Sequence, residues 1–396
     1  MYITSEVKFI IDKINSAGYR ADIVGGPVRD FLRGVIPNDY DITTDATPDK
    51  IKSIFSDFRT VDTGIKHGTV TLVLDGTPYE ITTYRIDGEY KDSRHPESVS
   101  FTSKIEEDLA RRDFTMNAIA YNEIDGITDP YGGAEDIKRG VIRAVRDPRV
   151  RFSEDALRIL RGIRFSATLG FEIEKETRVA IFEKMHLLSD ISRERVFVEL
   201  KKMLSGEFAY SVLEEYAEVV LPFLSGLRQL RLPEKSCFSP SAWDVRLMAI
   251  YYLSSPTPSE DFVNMSRALK TDAALRERGK VLLSAVDKYS IDERGAREAL
   301  LCIGEENLRE LIKLWRAIGR ETKPVEEGLK AVLSARLPFK LSMLEITGDD
   351  LKMLGYSGKE VGDELSRLLR EALLGRVEND FAALSSLARE HKAREF

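Results

Sequence analysis

The sequence predicts an α+β N-terminal part with a small mixed sheet, followed by an all-α remainder. Helix-like and strand-like patterns alternate up to about residue 125, which is typical of a mixed sheet with helices. Past Phe165, apolar residues recur at helical spacing almost throughout. A chain of 396 residues is also too long for one ordinary core, so we expect several domains.

The N-terminal elements follow from apolar spacing and turn residues. Residues 3–17 place apolar side chains on one face, which predicts a helix that Gly18 ends. Strand-like runs follow at residues 59–61, 69–74 and 79–84. Asp75-Gly76 between the last two runs is a hairpin signal. Residues 85–104 are polar and without periodicity, which predicts a long loop.

Composition limits the classes of partner. With a net charge of −7, the whole chain is not a generic polyanion binder, so an RNA partner would need a local basic stripe. Residues 138–164 supply one, with nine basic and three acidic residues and a net charge of +6. The N-terminus lacks the pattern of a signal peptide, and no stretch has the apolar length of a membrane span. We therefore expect a cytoplasmic protein without a membrane partner.

The stretch from Val24 to Thr44 has the features of a phosphate site. Gly25 and Gly26 follow an apolar run, and a double glycine lets the backbone approach a ligand closely. Pro27 suits the first turn of a helix, whose N-terminus favours phosphate. Arg29 adds a charge of the right sign. The alternative for the glycines alone is an ordinary turn.

Asp39 and Asp41 are candidate metal ligands in the same stretch. Two residues apart on a predicted strand, both carboxylates would lie on one face and repel each other unless a cation lies between them. Mg²⁺ is the oxygen-seeking ion that fits, and a phosphate cradle beside such a site suits nucleotidyl transfer. The alternative is a solvated edge strand. Glu80 is either a third carboxylate of this site or a solvated strand residue.

The segment SEDALRILRGIRF predicts one helix with a core face and a charged face. Ser153 is the expected N-cap, with Asp155 in the first turn, and Arg158, Arg161 and Arg164 follow along the helix. Cytosine and adenine each present an amine donor beside a ring-nitrogen acceptor, which an Asp155/Arg158 pair could match while rejecting uracil and guanine. The alternative is an Asp–Arg pair at i,i+3 that only bridges itself.

Several motifs together resemble a known family. GGPVRD followed by DYDIT resembles the active-site signature of the nucleotidyltransferase superfamily that includes DNA polymerase beta, in its branch of class II tRNA nucleotidyltransferases and poly(A) polymerases. EDLARRDFTMNA resembles the family's second motif, and SEDALR resembles its nucleotide-selecting motif. On a helix, Asp108 would pair with Arg112 and Asp113 with Asn117, each at i,i+4. The resemblance implies that Arg112 contacts the bound nucleotide and that Asp113 and Asn117 lie near its ribose. It also implies that part of the loop at 85–104 matters for the last nucleotide.

The resemblance extends along the whole chain and implies a four-part enzyme. Its parts would be a nucleotidyltransferase head at 1–137, a base-selecting neck at 138–204, a helical body at 205–325 and a tRNA-binding helical tail at 326–396. The implied activity is template-independent addition of CCA to tRNA from CTP and ATP, with Mg²⁺ as cofactor. Alternatives are an enzyme that adds only A, a poly(A) polymerase, and a tRNA-binding protein without activity. The sequence leaves open a monomer or a homodimer.

Overall fold

A computed structural model describes residues 3–37, 39–88 and 98–394. The chain divides into two compact units, Met1–Val219 and Val220–Phe396, here called the first and the second unit. The predicted division into four parts is not tested by these units and stays a prediction. Among the described residues, no helix is long and apolar enough to cross a membrane.

The first unit contains all of the strands in the described part of the chain. They are β1 Ala21–Val24, β2 Ile42–Thr44, β3 Arg59–Gly64, β4 Thr69–Leu74, β5 Thr77–Thr83, β6 Arg85–Asp87, β7 Val99–Phe101, β8 Ala120–Asn122, β9 Gly126–Thr128, β10 Val141–Ile142 and β11 Glu172–Ile173. Seven of them form one sheet in the order β3-β4-β5-β2-β1-β8-β9. Because β2 and β5 are parallel while the other neighbours are antiparallel, the predicted mixed sheet is confirmed.

The helices of the first unit lie between and after these strands. They are α1 Ser5–Ser16, α2 Gly26–Leu32, α3 Pro48–Ile54, α4 Ile105–Ala110, α5 Gly133–Arg139, α6 Pro148–Glu154, α7 Leu157–Leu169, α8 Lys175–Lys184, α9 Arg193–Ser205 and α10 Ala209–Glu215, with α11 Ala217–Val220 at the boundary. As predicted, α1 buries one apolar face formed by Val7, Ile10, Ile11 and Ile14. The predicted hairpin joins β4 to β5, where Asp75 and Gly76 both have positive φ (48° and 81°).

Two short strand pairs lie outside the main sheet. Strands β6 and β7 pair with each other, so the loop predicted over 85–104 is wrong at both of its ends. The register Arg85↔Phe101 gives these residues backbone partners that a pattern of polar residues does not indicate. The centre of that loop, residues 89–97, lies outside the described residues. Strands β10 and β11 form a parallel pair within an otherwise helical segment.

The second unit is helical throughout its described residues, as expected. Its helices are α12 Lys235–Phe238, α13 Trp243–Ser254, α14 Pro258–Ala268, α15 Ala273–Ala285, α16 Glu293–Ala317, α17 Lys323–Ser334, α18 Gly348–Met353, α19 Lys359–Leu373 and α20 Phe381–Arg394. Helix α16 is interrupted at Gly304, whose φ of 78° is not helical. A cluster of buried apolar side chains, including Leu351, Leu368 and Leu384, packs the last three helices together.

Candidate active site

The turn at Gly25 is the centre of the candidate site. Gly25 follows β1 with φ 79° and ψ −126°, a backbone conformation that residues other than glycine rarely adopt. Its N–H donates to the carbonyl of Ile119 (3.0 Å). A Cβ at Gly25 would lie 2.9 Å from Nη1 of Arg112, 3.6 Å from the carbonyl oxygen of Asn117 and 4.0 Å from Oδ2 of Asp41. The absence of a side chain therefore lets three predicted site residues converge.

Gly26 and Pro27 then open α2, as the sequence predicts. Arg29 lies on this short helix, and its Nε and Nη2 atoms bind Oδ1 of Asp30 (3.0 and 2.9 Å). Its Nη1 donates to Oδ1 of Asn117 (2.9 Å). The predicted triphosphate-binding arginine is thus held beside the Gly25 turn by two neighbours.

The two candidate metal ligands lie just before β2 rather than on it. The prediction that a strand carries both is wrong, because β2 begins at Ile42 and Asp39 lies in a bend. Asp41 still bonds to β1, since its carbonyl accepts from the N–H of Val24 (3.0 Å). Opposite Asp39, β1 has already given way to the Gly25 turn, so that strand cannot continue the pairing. Asp39 and Asp41 therefore lie just before the start of β2, next to the Gly25 turn.

Glu80 lies at the same level as Asp41. Strands β2 and β5 are parallel with Ile42 opposite Ile81, so each carboxylate directly precedes a paired residue. Burial raises the pKa of Asp41, Arg112 partly offsets this, and the charges of Asp39 and Glu80 raise the pKa further. A divalent cation would relieve this repulsion, and oxygen donors are what a hard cation prefers. Within the described ranges, however, no group of three such side chains is close enough to form a metal site, so the role of Glu80 stays a prediction.

Arg112 is close to two acids, Asp41 and the buried Asp108. Its Nη2 is 3.5 Å from Oδ2 of Asp108, which confirms the predicted pairing, and Arg111 binds Oδ1 of the same carboxylate (2.8 Å). Burial lowers the pKa of Arg112, while the charges of Asp108 and Asp41 oppose that shift. Its Nε is buried without a hydrogen-bond partner among the described atoms. This is the kind of donor that a bound ligand would satisfy.

A chain of hydrogen bonds joins Asp113 and Asn117 to two arginines. Nδ2 of Asn117 donates to Oδ1 of Asp113 (3.1 Å), as the spacing predicts, although Asn117 lies in a 3₁₀ turn and not on an α-helix. Nε of Arg161 donates to Oδ2 of Asp113 (2.7 Å). Burial alone would raise the pKa of Asp113, but Arg161 and the amide of Asn117 outweigh it and hold the pKa at about 2. The network therefore connects Arg29 of α2 with Arg161 of α7.

The predicted single helix around Asp155 is two helices. Helix α6 ends at Glu154, Asp155 is extended (φ −139°, ψ 102°), and α7 begins at Leu157. The prediction of Ser153 as an N-cap is wrong, because its hydroxyl donates to the carbonyl of Arg149 inside α6 (2.8 Å). The break gives Asp155 the role expected of a residue before a helix, since its Oδ1 accepts from the N–H of Leu157 (3.1 Å). The predicted core face of α7 is confirmed, with Ile159, Leu160, Ile163 and Ala167 all buried.

Asp155 and Arg158 have different partners. Oδ2 of Asp155 accepts from Nη2 of Arg195 on α9 (3.0 Å). Arg158, only 8% exposed, donates to Oε2 of Glu154 (2.6 Å) and to the carbonyls of Arg151 (3.1 Å) and Arg111 (2.9 Å). The expected reading of a base by this pair stays a prediction, and Arg195 is a partner that the sequence did not indicate.

Carboxylates partner most of the basic stripe at 138–164. Arg164 binds the buried Glu199 of α9 (2.9 Å). Further ion pairs are Arg139–Glu135, Arg143–Asp136, Arg143–Glu174, Arg149–Glu176, Arg149–Glu183, Arg151–Glu154, Arg158–Glu154 and Arg161–Asp113. The stripe is thus partly neutralised by Glu154 within it and by acids that lie outside its segment. Its binding of phosphates stays a prediction.

Two family models match residues that lie almost entirely in the first unit. The family described as “Poly A polymerase head domain” matches residues 21–143, which include the Gly25 turn, Asp113 and Asn117. The family described as “Probable RNA and SrmB- binding site of polymerase A” matches residues 170–222.

Similar proteins cover nearly the whole chain. A CCA-adding enzyme of Geobacillus stearothermophilus is 38% identical over 383 residues, which is 94% of this chain and 93% of that protein. The chain belongs to the family of CCA-adding enzymes. A CCA-adding enzyme of Lactobacillus delbrueckii subsp. bulgaricus is 37% identical over 386 residues, with 95% of each chain covered. Membership confirms the predicted class, an enzyme of the nucleotidyltransferase type.

Solved structures of the family agree with the fold. The crystal structure of the Bacillus stearothermophilus CCA-adding enzyme in complex with CTP has a TM-score of 0.83 at 31% identity and covers 99% of both chains. The Thermotoga maritima CCA-adding enzyme complexed with tRNA has a TM-score of 0.70 at 21% identity, covering 98% of this chain and 96% of that one. The second likeness concerns the fold alone.

Proposed function

We propose that this enzyme adds CCA to the 3′ end of tRNA, using CTP and then ATP and releasing pyrophosphate. The observation that carries the proposal is the convergence of Asp41, Arg112 and Asn117 on the side-chain-free Gly25. Support also comes from a CTP complex solved for a relative of the same fold at 31% identity. Since tRNA and nucleoside triphosphates are the proposed substrates, we place the enzyme in the cytoplasm.

Asp39 and Asp41 are the proposed Mg²⁺ ligands, with Glu80 as a third carboxylate beside them. The raised pKa of Asp41 supports this role, because a cation would stabilise the ionised form that burial and the neighbouring acids disfavour. Bound there, Mg²⁺ would supply activation of the 3′-hydroxyl and charge neutralisation at the leaving pyrophosphate.

Gly25, Gly26 and Arg29 are the proposed triphosphate contacts. The missing side chain of Gly25 keeps the space beside Asp41 clear, and Asp30 and Asn117 fix the direction of the Arg29 guanidinium. Arg112 offers a buried Nε donor without a partner among the described atoms. Catalysis by this set is mainly positioning and charge neutralisation.

Asp155 and Arg158 are the proposed base-reading pair, with Arg161 and Arg164 in support. Asp155 lies at the break between α6 and α7, and its carboxylate accepts a hydrogen bond from Arg195 of α9. Three of the five N–H groups of Arg158 are used within the protein, which fixes the plane of the guanidinium. Asp113 and Asn117 connect Arg161 of the base-reading group to Arg29 of the triphosphate contacts, and we propose that they lie near the ribose.

Nucleotide incorporation into three tRNA transcripts tests the proposal. The transcripts end at the discriminator base, in C, or in CC, and each receives CTP, ATP, UTP or GTP alone and CTP with ATP. Stepwise growth to CCA followed by arrest is the expected result. Extension of only the CC-ending transcript would indicate an A-adding enzyme, long A tracts a poly(A) polymerase, and no incorporation with Mg²⁺ would contradict the activity.

A further inference from the structure

We propose that Phe165 is a positioning residue that gathers three of the proposed nucleotide-binding arginines around one buried aromatic ring. This inference rests on the function proposed above. Phe165 lies on α7 and is 5% exposed. The guanidinium carbons of Arg164, Arg161 and Arg29 lie 3.7, 5.5 and 5.4 Å from the centre of its ring.

The three positively charged guanidinium groups around the Phe165 ring repel each other, so neighbouring groups must offset that repulsion. Each guanidinium has one carboxylate partner: Asp30 for Arg29, Asp113 for Arg161 and Glu199 for Arg164. The ring adds the shared attraction, because the face of an aromatic ring is electron-rich. Unlike another carboxylate, a ring face attracts a guanidinium without using its in-plane N–H groups, which are the groups that bind phosphate oxygens.

The ring also joins two parts of the site. Arg29 lies on α2, directly after the Gly25 turn, whereas Arg161 and Arg164 lie on α7, which follows Asp155. A ring in contact with both helices sets the distance between the triphosphate contacts and the base-reading residues. We therefore expect Phe165 to affect how well a nucleotide fits, rather than the chemistry at the carboxylates.

Phe114 packs against the Phe165 ring. The two rings form a T-shaped pair, with ring centres 5.9 Å apart and an angle of 85° between their planes. Phe114 itself packs so closely on Gly162 that a Cβ there would lie 2.9 Å from its Cζ. This packing would suit an ordinary core phenylalanine as well, so the test must separate the charge of the ring face from its bulk.

Fluorination of the Phe165 ring changes the charge of the ring face while keeping its bulk nearly constant. Mono-, di- and trifluorophenylalanine at position 165 withdraw electrons from the ring face with little change in shape. With the full-length chain, CTP and a tRNA transcript without CCA, we expect KM for CTP to rise with each fluorine. The total rise should be about tenfold, the size of one partly desolvated cation–π contact. We expect kcat and the melting temperature to change little.

Phe262 is the matched control in the second unit. It is fully buried and meets Tyr251 edge-on at 5.4 Å, and none of the guanidinium–ring contacts found in the described part of the chain involves it. The same fluorinated series there should leave KM unchanged. The proposal would be overturned if KM for CTP rose equally with each fluorine at positions 165 and 262, or if it did not change at position 165. Phe165→Trp should keep most of the affinity for CTP, whereas Phe165→Leu should lose it.

The unmodified chain separates this proposal from the function on which it rests. If it fails to incorporate CTP, the proposed function is wrong, and the series is then measured by calorimetric binding of inorganic pyrophosphate. A graded loss of pyrophosphate affinity at 165 would still support the arginine cluster as an anion site organised by the ring. A flat series would overturn it.

Discussion

Gly25→Ala is the substitution whose effect can best be worked out from the structure. The conformation of Gly25 (φ 79°, ψ −126°) costs a residue with a side chain about 1–3 kcal/mol. The new Cβ would lie 2.9 Å from Nη1 of Arg112, whereas ordinary contact begins at 3.4 Å, so the guanidinium must move by about 0.5 Å. Since a displacement of about 1 Å at a reacting centre can lower the rate a hundredfold, we expect kcat/KM for CTP to fall by about tenfold or more.

Thermal unfolding and CTP incorporation are measured together for this variant. The strain should lower Tm by roughly 2–10 °C. Gly76→Ala is the matched control, because Gly76 also has positive φ (81°) but none of the described atoms lies within 4 Å of its Cβ position. We expect Gly76→Ala to lower Tm and keep full activity. Equal activities for the two variants would refute the role given to the Gly25 turn.

Three further substitutions test the electrostatics of the site by urea unfolding at several pH values. Asp41→Asn should end incorporation without loss of stability at pH 7. Because the folded chain raises the pKa of Asp41, the stability of this variant relative to the unmodified chain should increase as pH rises above about 4. Asp113→Asn should cost about 2 kcal/mol at pH 7, and because the pKa of Asp113 is lowered to about 2, this difference should shrink as pH falls from about 4 to 2. Glu199→Gln should cost about 3 kcal/mol by leaving Arg164 buried and unpaired, and adding Arg164→Met should recover part of it. A flat pH dependence for either aspartate variant, or no recovery in the double variant, would contradict the assignments.

The sequence predicted the parts of the head that depend on local signals. Alternating patterns and the Asp75-Gly76 turn indicated the mixed sheet, and Gly25-Gly26-Pro27 indicated the turn into α2. The pairs Asp108–Arg112 and Asp113–Asn117 were predictable because both partners lie four residues apart. Local spacing is enough for such contacts.

Features set by distant residues could not be predicted in this way. The spacing left open an ion pair between Asp155 and Arg158, but Arg195, forty residues away, binds Asp155, while Glu154 binds Arg158. The helix break at Asp155 left no mark in the apolar periodicity, because Ala156 continues the core face of α7. Glu199, which partners Arg164 of the basic stripe, lies on another helix and was missed for the same reason.

Phe165 was also missed as a site residue. In the sequence it is one more apolar residue after Arg164, and only the fold brings Arg29 of α2 onto its ring. The segment from Ser192 to Leu204 contained a usable signal, since Arg195 and Glu199 place opposite charges one helical turn apart on α9. Each of these two residues bonds to a residue of the proposed nucleotide site.

The most direct test of the proposed CCA addition is the 3′-terminal sequence of tRNA molecules after reaction. A transcript ending at the discriminator base is incubated with the enzyme, Mg²⁺ and equal concentrations of all four nucleoside triphosphates, and its 3′ ends are sequenced. We expect CCA ends that do not grow further, and unchanged ends when Asp39 and Asp41 are replaced by Asn. Ends of mixed sequence, A tracts, or CCA ends made by the double variant would contradict it.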